Sequence, residues 1–267
     1  MEEVGRMNIR MHAMYDHFPE HHPVPGEPCI EMWSDSHVFG LKEGSKNVAL
    51  LLEPKSMLGD AYEFVKANAN SFRYIFTHDS ELLRLPQSRM LNWGDVWLTT
   101  DSPKTKGISI ITSPKNWCPL HNARIWLCDY FQDNPEVDVF RGDWNNPQVK
   151  TIDAKDYLEE YKYSIIIEND IDDYWYTEKI LNCFSTKTVP IYVGARRIGE
   201  IFNANGIILV KDWREIPKIV ERLDFADYET RLDAINDNFE RVKPYVVNWK
   251  ERFFRDYGDI LEGLQNE

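Results

Sequence analysis

Residues 163–195 read YSIIIENDIDDYWYTEKILNCFSTKTVPIYVGA. Within them SIII, at 164–167, is apolar and β-branched, the pattern of a strand buried on both faces. That strand ends in Glu168-Asn169, and a polar aromatic loop, DIDDYWY, follows. Thr177 then opens an amphipathic stretch expected to be helical over 177–185, and VPIYV at 189–193 is a second apolar strand closed by Gly194. Strand, loop, helix and strand in this order predict a parallel sheet. Ligands of such sheets bind beyond the carboxyl ends of the strands, where Glu168, Asn169 and the loop fall. Thr177 is a favourable N-cap, and a helix N-terminus offers N–H groups and positive potential to a phosphate. Lys179 adds a full charge there, and Glu178 suits the hydroxyls of a ribose. These residues describe a nucleotide-diphosphate site. They equally describe a capped surface helix with an exposed Glu–Lys pair, and physics alone leaves both open.

The same alternation extends outward. Further strands are expected at 47–52, 72–77, 107–112, 137–140 and 206–210, and helices at 58–69, 121–131, 154–163, 197–203 and 213–223. Residues 1–46 show little periodicity, and HFPEHHPVPGEP reads as loop. From Ala226 onward, broken at Pro244, apolar residues recur at three- and four-residue steps, so helices there should pack one face on the body. The polar stretch DSPKTK at 101–106 is a plausible linker. No internal repeat is evident.

The chain has 267 residues, 43% hydrophobic and 28% charged, which is a core-forming composition rather than a disordered one. Nine Trp and thirteen Tyr suit sugar or base pockets, although core packing accounts for most such rings. A formal charge of -13 disfavours nucleic-acid binding, which needs a basic face, but leaves room for a small anion in a local basic pocket. Cys29, Cys118, Cys128 and Cys183 have neither zinc-ribbon nor disulfide spacing. The N-terminus lacks the apolar core of a signal peptide, and no run approaches 18 apolar residues, so no transmembrane segment is expected. The chain is expected to be cytoplasmic, or else a catalytic fragment cut from its targeting segment.

The run 163–195 resembles the donor-binding signature of the α-1,3/4-fucosyltransferases, glycosyltransferase family 10. The residues carrying the resemblance are Glu168-Asn169, Trp175, Thr177-Glu178-Lys179, and Val189-Pro190-Ile191 through Gly194. Three more segments are similar and in the right order. ITSPKNWCPLHNARIWLCDYF places Arg124 on the family's diphosphate-contacting arginine, VALLLEP places Glu53 on its proposed catalytic base, and GIILVKDW with NWKERFF resembles its last strand and closing helices. The likeness spans about residues 47–260 and is densest over 107–215. The sequence departs from the family in having Trp175 where a Tyr is usual, which keeps the ring and loses the hydroxyl, and in a short N-terminal region.

The resemblance implies a GT-B-like α/β fold, with two Rossmann-like domains facing a cleft and C-terminal helices closing it. The expected divisions are an acceptor-side domain over 1–104, a nucleotide-sugar-binding domain over 105–225, and packing helices over 226–267. It further implies an inverting fucosyltransferase using GDP-fucose and a glycan acceptor containing N-acetylglucosamine or galactose. Glu53 would take the acceptor proton, while Arg124 and Lys179 neutralise the departing diphosphate. Glu168, Asn169, Tyr176, Thr177 and Glu178 would contact the donor, with Trp175 stacking or packing on the nucleotide. Two cations leave no metal required for leaving-group departure. Read bare, Glu53 is also an ordinary loop carboxylate before Pro54, and Arg124 a surface helix arginine.

Other readings compete. Asp170-Ile171-Asp172-Asp173 carries an Asp-x-Asp of the kind that holds Mn²⁺ against a nucleotide diphosphate, though so short a pattern arises readily in an acidic chain. His12, His17, His21, His22 and His37 crowd the first forty residues without a zinc-binding helical spacing. His78-Asp79 follows a strand and could meet an acceptor. Another GDP-sugar would fit the same residues, and a non-catalytic sugar-binding module would keep donor affinity without turnover. The joint presence of Glu53, Arg124 and Lys179 argues for catalysis.

Overall fold

The chain folds as two α/β units, each built on its own five-stranded sheet with every strand pair parallel. The computed structural model describes residues 7–43, 46–143 and 152–267. One unit comprises Met1–Trp93 and Asn248–Glu267, the other Gly94–Val247.

In the first unit β1 (Ile9–His12), β2 (Ile30–Ser34), β3 (Lys46–Leu50), β4 (Tyr74–Thr77) and β5 (Ser88–Met90) lie side by side in chain order. Successive side chains of a strand face opposite ways. Val48, Leu50 and Leu52 therefore enter one apolar cluster, and Ala49 and Leu51 another. The second cluster is closed by α1 (Lys55–Ala67) through Ala61, Tyr62 and Val65. The first is closed by the C-terminal helix Trp249–Asn266 through Phe253, Phe254, Leu261 and Leu264. Each such side chain removed from water contributes about 1.5–3 kcal/mol. The chain must therefore return to this unit at its end, because VALLL has two faces to cover.

Two strands lie where the sequence shows only aperiodic loop. β1 and β2 carry polar residues that hide the pattern, and those residues pair across the sheet. Glu31 binds Arg10, and His12 Nε2 lies 2.6 Å from Glu31 Oε2, while the His12 ring stacks on Trp33 at 3.6 Å. The loop reading holds for the connection between them, apart from a single 3₁₀ turn at Pro19–His21.

The second unit contains β6 (Lys106–Thr112), α2 (Pro119–Tyr130), β7 (Val137–Arg141), α3 (Ala154–Leu158), β8 (Tyr161–Ile167), α4 (Glu178–Ser185), β9 (Val189–Val193) and β10 (Ile208–Leu209). After these come α5 (Ile216–Arg222), α6 (Asp227–Thr230) and α7 (Leu232–Arg241); the C-terminal helix is α8. The sheet order is β10-β9-β8-β6-β7. The helix expected over 154–163 is cut short because Tyr161 and Tyr163 pair with Lys106 and Ile108 as strand. The one expected over 197–203 is a 3₁₀ turn at Ile198–Glu200. Pro190 sits inside β9 without disrupting it. Tyr192 O accepts from Val210 N, so Pro190, two residues earlier, faces the same side, where β10 pairs only with Ile191 and Tyr192. Its missing N–H falls beyond the start of β10.

The expected division at 104/105 differs from the one the packing draws at 93/94. The stretch after Gly94, which includes the linker expected at 101–106, is a strap fastened to the second unit. Asn182 Oδ1 accepts the N–H groups of Trp97 and Leu98 at 2.8 and 3.3 Å, and Thr100 N donates to Ser185 O at 3.1 Å. Lys104 Nζ donates to Leu158 O, Glu159 O and Thr188 Oγ1, each at 2.9 Å, and burial pulls its pKa down to about 8. The helices expected as one set over 226–267 also divide: α6 and α7 belong to the second unit and α8 to the first. Among the described residues no helix is long and apolar enough to cross a membrane.

Asn182 is fully buried, and removing its oxygen strands two backbone donors. Asn182→Ala is expected to lower unfolding free energy by about 1–3 kcal/mol, measured by urea titration. An unchanged midpoint would show that the strap is not held there.

Candidate active site

β6 is flanked by β7 on one side and β8 on the other. The chain leaves β6 for the edge of the sheet and returns to the opposite side, which makes the β6/β8 border a topological switch point. The carboxyl end of β6 leads into α2, and that of β8 into Glu168-Asn169.

Asn169 joins the two. Its Oδ1 accepts from Arg124 NH2 at 2.7 Å and from His121 Nε2 at 3.0 Å. The histidine's role follows from its other nitrogen. Trp117 N donates to His121 Nδ1 at 3.1 Å, so the ring proton resides on Nε2 and points at Asn169. His121 is buried, and burial lowers its pKa to about 4, helped by the cations of Arg124, Lys179 and Lys115 and opposed by the bond to Asn169. It is therefore a neutral donor at pH 7. Arg124 is half-buried; its Nε is shut from solvent and has no hydrogen-bond partner among the described residues.

One residue earlier, Glu168 has 0% of its surface exposed. Its Oε1 accepts from Thr177 N at 2.9 Å, its Oε2 from Thr177 Oγ1 at 2.8 Å, and Lys179 Nζ lies 3.5 Å from Oε2. Burial pushes the Glu168 carboxyl above its ordinary range, against the pull of Lys179 and the Thr177 bonds. Burial would push the Lys179 ammonium down, but Glu178 at 3.2 Å and Glu168 outweigh it and hold its pKa above the usual lysine value. Thr177 caps α4, its hydroxyl accepting from Lys179 N at 3.4 Å and from Lys179 Nζ at 3.0 Å. Two glycines make room for this packing. A Cβ on Gly194 would stand 2.6 Å from Glu168 Cγ, and one on Gly94 2.9 Å from the backbone of Thr177.

The structure thus gathers Arg124, Asn169, Glu168, Thr177, Glu178 and Lys179 at one edge of the second sheet. It assigns them unequal parts. Asn169, Glu178 and Lys179 keep exposed surface, whereas Glu168, Trp175, Tyr176 and Thr177 are buried. The expectation that Glu168 contacts a donor is corrected: its carboxylate is committed to Thr177 and Lys179. Trp175, 1% exposed, offers no face for stacking and packs in the interior, and Tyr176 shares a 2.7 Å hydroxyl contact with Tyr245. Glu53 lies in the other unit, between β3 and α1. His121 was not anticipated. Its position three residues before Arg124, on the same helix face, was the available signal.

The Asp-x-Asp carboxylates fold back on their own loop. Asp170 Oδ1 accepts from Ile171 N at 2.7 Å, and Asp172 Oδ1 from Asp173 N at 2.5 Å and Tyr174 N at 3.3 Å. Among the described residues no three His, Cys, Asp or Glu side chains are grouped to hold a metal ion.

The sequence model described as glycosyltransferase family 10 (fucosyltransferase), C-terminal part, matches residues 102–254, more than half of the chain. The chain belongs to glycosyltransferase family 10. The family-10 match contains the whole Arg124–Lys179 cluster. A curated relative, the alpha-(1,3)-fucosyltransferase FucT of Helicobacter pylori, is 26% identical over 102 residues, 38% of this chain and 21% of that protein. The GDP-fucose protein O-fucosyltransferase 3 of Rattus norvegicus is 33% identical over 82 residues, 28% of this chain and 17% of that protein. The chain thus aligns with about a fifth of the length of each. Among solved structures, an alpha1,3-fucosyltransferase with GDP superposes with a TM-score of 0.54 at 16% identity, covering 86% of this chain and 80% of that one. That likeness concerns the fold, and the two parallel α/β units are the GT-B architecture the sequence implies.

The His121 arrangement has a pH signature. Between its ordinary value of 6.5 and about 4, an unfolded chain binds a proton that folded His121 refuses. The unfolded state then holds more protons, so this contribution to stability is complete above pH 6.5 and is lost as pH falls towards 4. The loss is up to about 3 kcal/mol. In an NMR titration the imidazole signal that disappears in His121→Gln is expected to stay neutral down to about pH 4. A midpoint near 6.5 for that signal would overturn the arrangement.

Proposed function

We propose that this family-10 chain transfers fucose from GDP-fucose to a hydroxyl of an acceptor glycan, with inversion at the anomeric carbon. The observation that carries the reading is Arg124. It is a guanidinium fixed through one nitrogen to Asn169, with a buried Nε left unpaired, beside Lys179 at the N-terminus of α4. An unpaired buried donor next to a second cation is a site prepared for an anion. A diphosphate would supply an oxygen to the Arg124 guanidinium and a further acceptor to Lys179, which already meets Thr177, Glu178 and Glu168, and Glu178 is proposed to accept from the ribose. His121 and Glu168 touch no donor in this reading; they hold Asn169 and Thr177-Lys179 in place.

In the reaction the acceptor oxygen attacks C1 of the sugar from the face opposite the leaving group. The C1–O bond to the β-phosphate breaks, and its electron pair leaves with GDP. Arg124 and Lys179 neutralise the charge that grows on the diphosphate, and because they are already in place they do so with little reorganisation. The acceptor proton goes to a base, proposed to be Glu53. With two fixed cations, departure of GDP is proposed to need no metal. A second reading concerns the acceptor only: the aligned stretch shared with the rat protein O-fucosyltransferase favours testing a polypeptide hydroxyl alongside glycans.

Arg124→Ala and Lys179→Ala are each expected to weaken GDP binding by about 1–3 kcal/mol, the scale of a charge-assisted contact. Calorimetric titration checks this, and unchanged affinity in both would remove the site. Glu53→Gln is expected to keep GDP affinity while slowing transfer at least about a hundredfold. Release of GDP from GDP-fucose in EDTA, stimulated by glycan or by peptide acceptors, would support the function and select the acceptor class. Release that requires added Mn²⁺ would favour the Asp-x-Asp reading instead.

A further inference from the structure

Three neighbouring strand ends of the first unit converge on one peptide. Asp35 follows β2, residues 51–53 follow β3, and His78 follows β4. Asp35 Oδ1 accepts the N–H of Leu52 at 2.9 Å and that of Glu53 at 3.1 Å. On the other side of Glu53, the Tyr62 hydroxyl of α1 donates to Glu53 O at 2.6 Å. His78 Nε2 lies 3.0 Å from the same hydroxyl. A phenol has one proton, and here it goes to the carbonyl, so His78 Nε2 is the donor and Tyr62 the acceptor between them. The residue after Glu53 is Pro54, which has no N–H and a fixed φ.

We infer that Asp35 and Tyr62 are positioning residues for Glu53, holding its backbone from both sides so that its carboxylate is presented at the carboxyl edge of β3. The inference rests on the proposal that Glu53 is the base.

Two features separate this arrangement from ordinary loop packing. Asp35 has φ +52°, in the left-handed region that costs a non-glycine residue energy and is tolerated best by Asn and Asp. Such strain persists where the surroundings over-determine it, commonly at functional sites. Here what holds it is the pair of bonds to Leu52 and Glu53. Second, Tyr62 and His78 are both buried, at 1% exposure each. Burying polar groups there is unfavourable unless each has a partner. The chain from His78 through Tyr62 ends at the Glu53 carbonyl, and the bonds of Asp35 Oδ1 end at the Glu53 peptide. Neither serves to cap α1, whose N-cap position is Pro54 with no side-chain cap bond.

A double-mutant cycle tests the inference, using kcat for transfer, GDP affinity and melting temperature. Asp35→Ala and Tyr62→Phe are each expected to lower kcat about tenfold or more while GDP affinity in the other unit stays unchanged. Asp35→Asn keeps an acceptor oxygen and tolerates the left-handed backbone, so it is expected to recover most of what Asp35→Ala loses. Residues acting through one group are non-additive, so in a Glu53→Gln background either change should cost less than about twofold further. Full additivity with Glu53→Gln, or an unchanged kcat in both single variants, overturns the positioning role. Should Asp35→Ala fail to fold, Tyr62→Phe, which keeps the ring, carries the cycle alone. A Glu53→Gln protein that transfers at the parental rate removes the base itself, an outcome read from that single variant.

Discussion

A carboxylate with no exposed surface has to be compensated from within, and Glu168 fixes much of the second unit for that reason. Its two oxygens are met by the N–H and hydroxyl of Thr177 and by the Lys179 ammonium. Those contacts set where α4 begins and which way its N-terminus points. A side chain at position 194 would run into the Tyr192 hydroxyl and Glu168 Cγ, and one at Gly94, where the strap enters, into the Thr177 backbone. One buried charge thus positions a helix N-terminus, a lysine and a chain entry together. Truncating such a group would leave its partners unpaired, which is why buried pairs constrain geometry more than they add stability.

The two sheets solve a similar problem at their carboxyl edges. Parallel strands buried on both faces end abruptly, and the peptide groups just beyond them need partners that the ladder no longer supplies. In the second unit Glu168 N donates to Val193 O, and the Asn169 side chain ties the loop after β8 to the side chains of α2. In the first, Asp35 bridges the end of β2 to the residues after β3, and Tyr62 reaches back from α1. In both cases a short polar side chain is fixed by bonds to a neighbouring element, and the adjacent residue is the one assigned chemistry: Arg124 beside Asn169, Glu53 beside Asp35.

What the sequence discloses follows from how local each constraint is. The β8–α4–β9 unit is legible because strand, cap, helix and strand are contiguous, and the Thr177 cap acts two residues away. β1 and β2 are not legible, because Arg10, His12 and Glu31 interrupt the apolar pattern and find their partners only across the sheet. The strap's DSPKTK segment at 101–106 is polar and looks like a linker; Lys104 within it is anchored by groups 54, 55 and 84 residues away. Among the site residues, Arg124, Asn169 and Lys179 could be named from motif position, but their division of labour could not. That Glu168 and Trp175 face inward, and that His121 is a neutral donor, depends on burial and on a tautomer set by the Trp117 amide.

Net charge is a poor guide to such a site. The chain carries a formal -13, and the cluster itself contains two cations, Arg124 and Lys179, against two carboxylates, Glu168 and Glu178. Summed, these four charges cancel, so net charge gives no sign of the proposed anion site. Geometry breaks the tie. Glu168 lies wholly inside, accepts hydrogen bonds from Thr177 and faces Lys179, whereas Arg124 keeps a buried nitrogen without a partner among the described residues and α4 presents its N-terminus. A neutral His121 adds a hydrogen bond without adding charge, which leaves Arg124 oriented rather than repelled. For the proposed diphosphate, selectivity would then come from donors fixed before it arrives, because oriented hydrogen bonds in a buried setting count for more than the sum of charges.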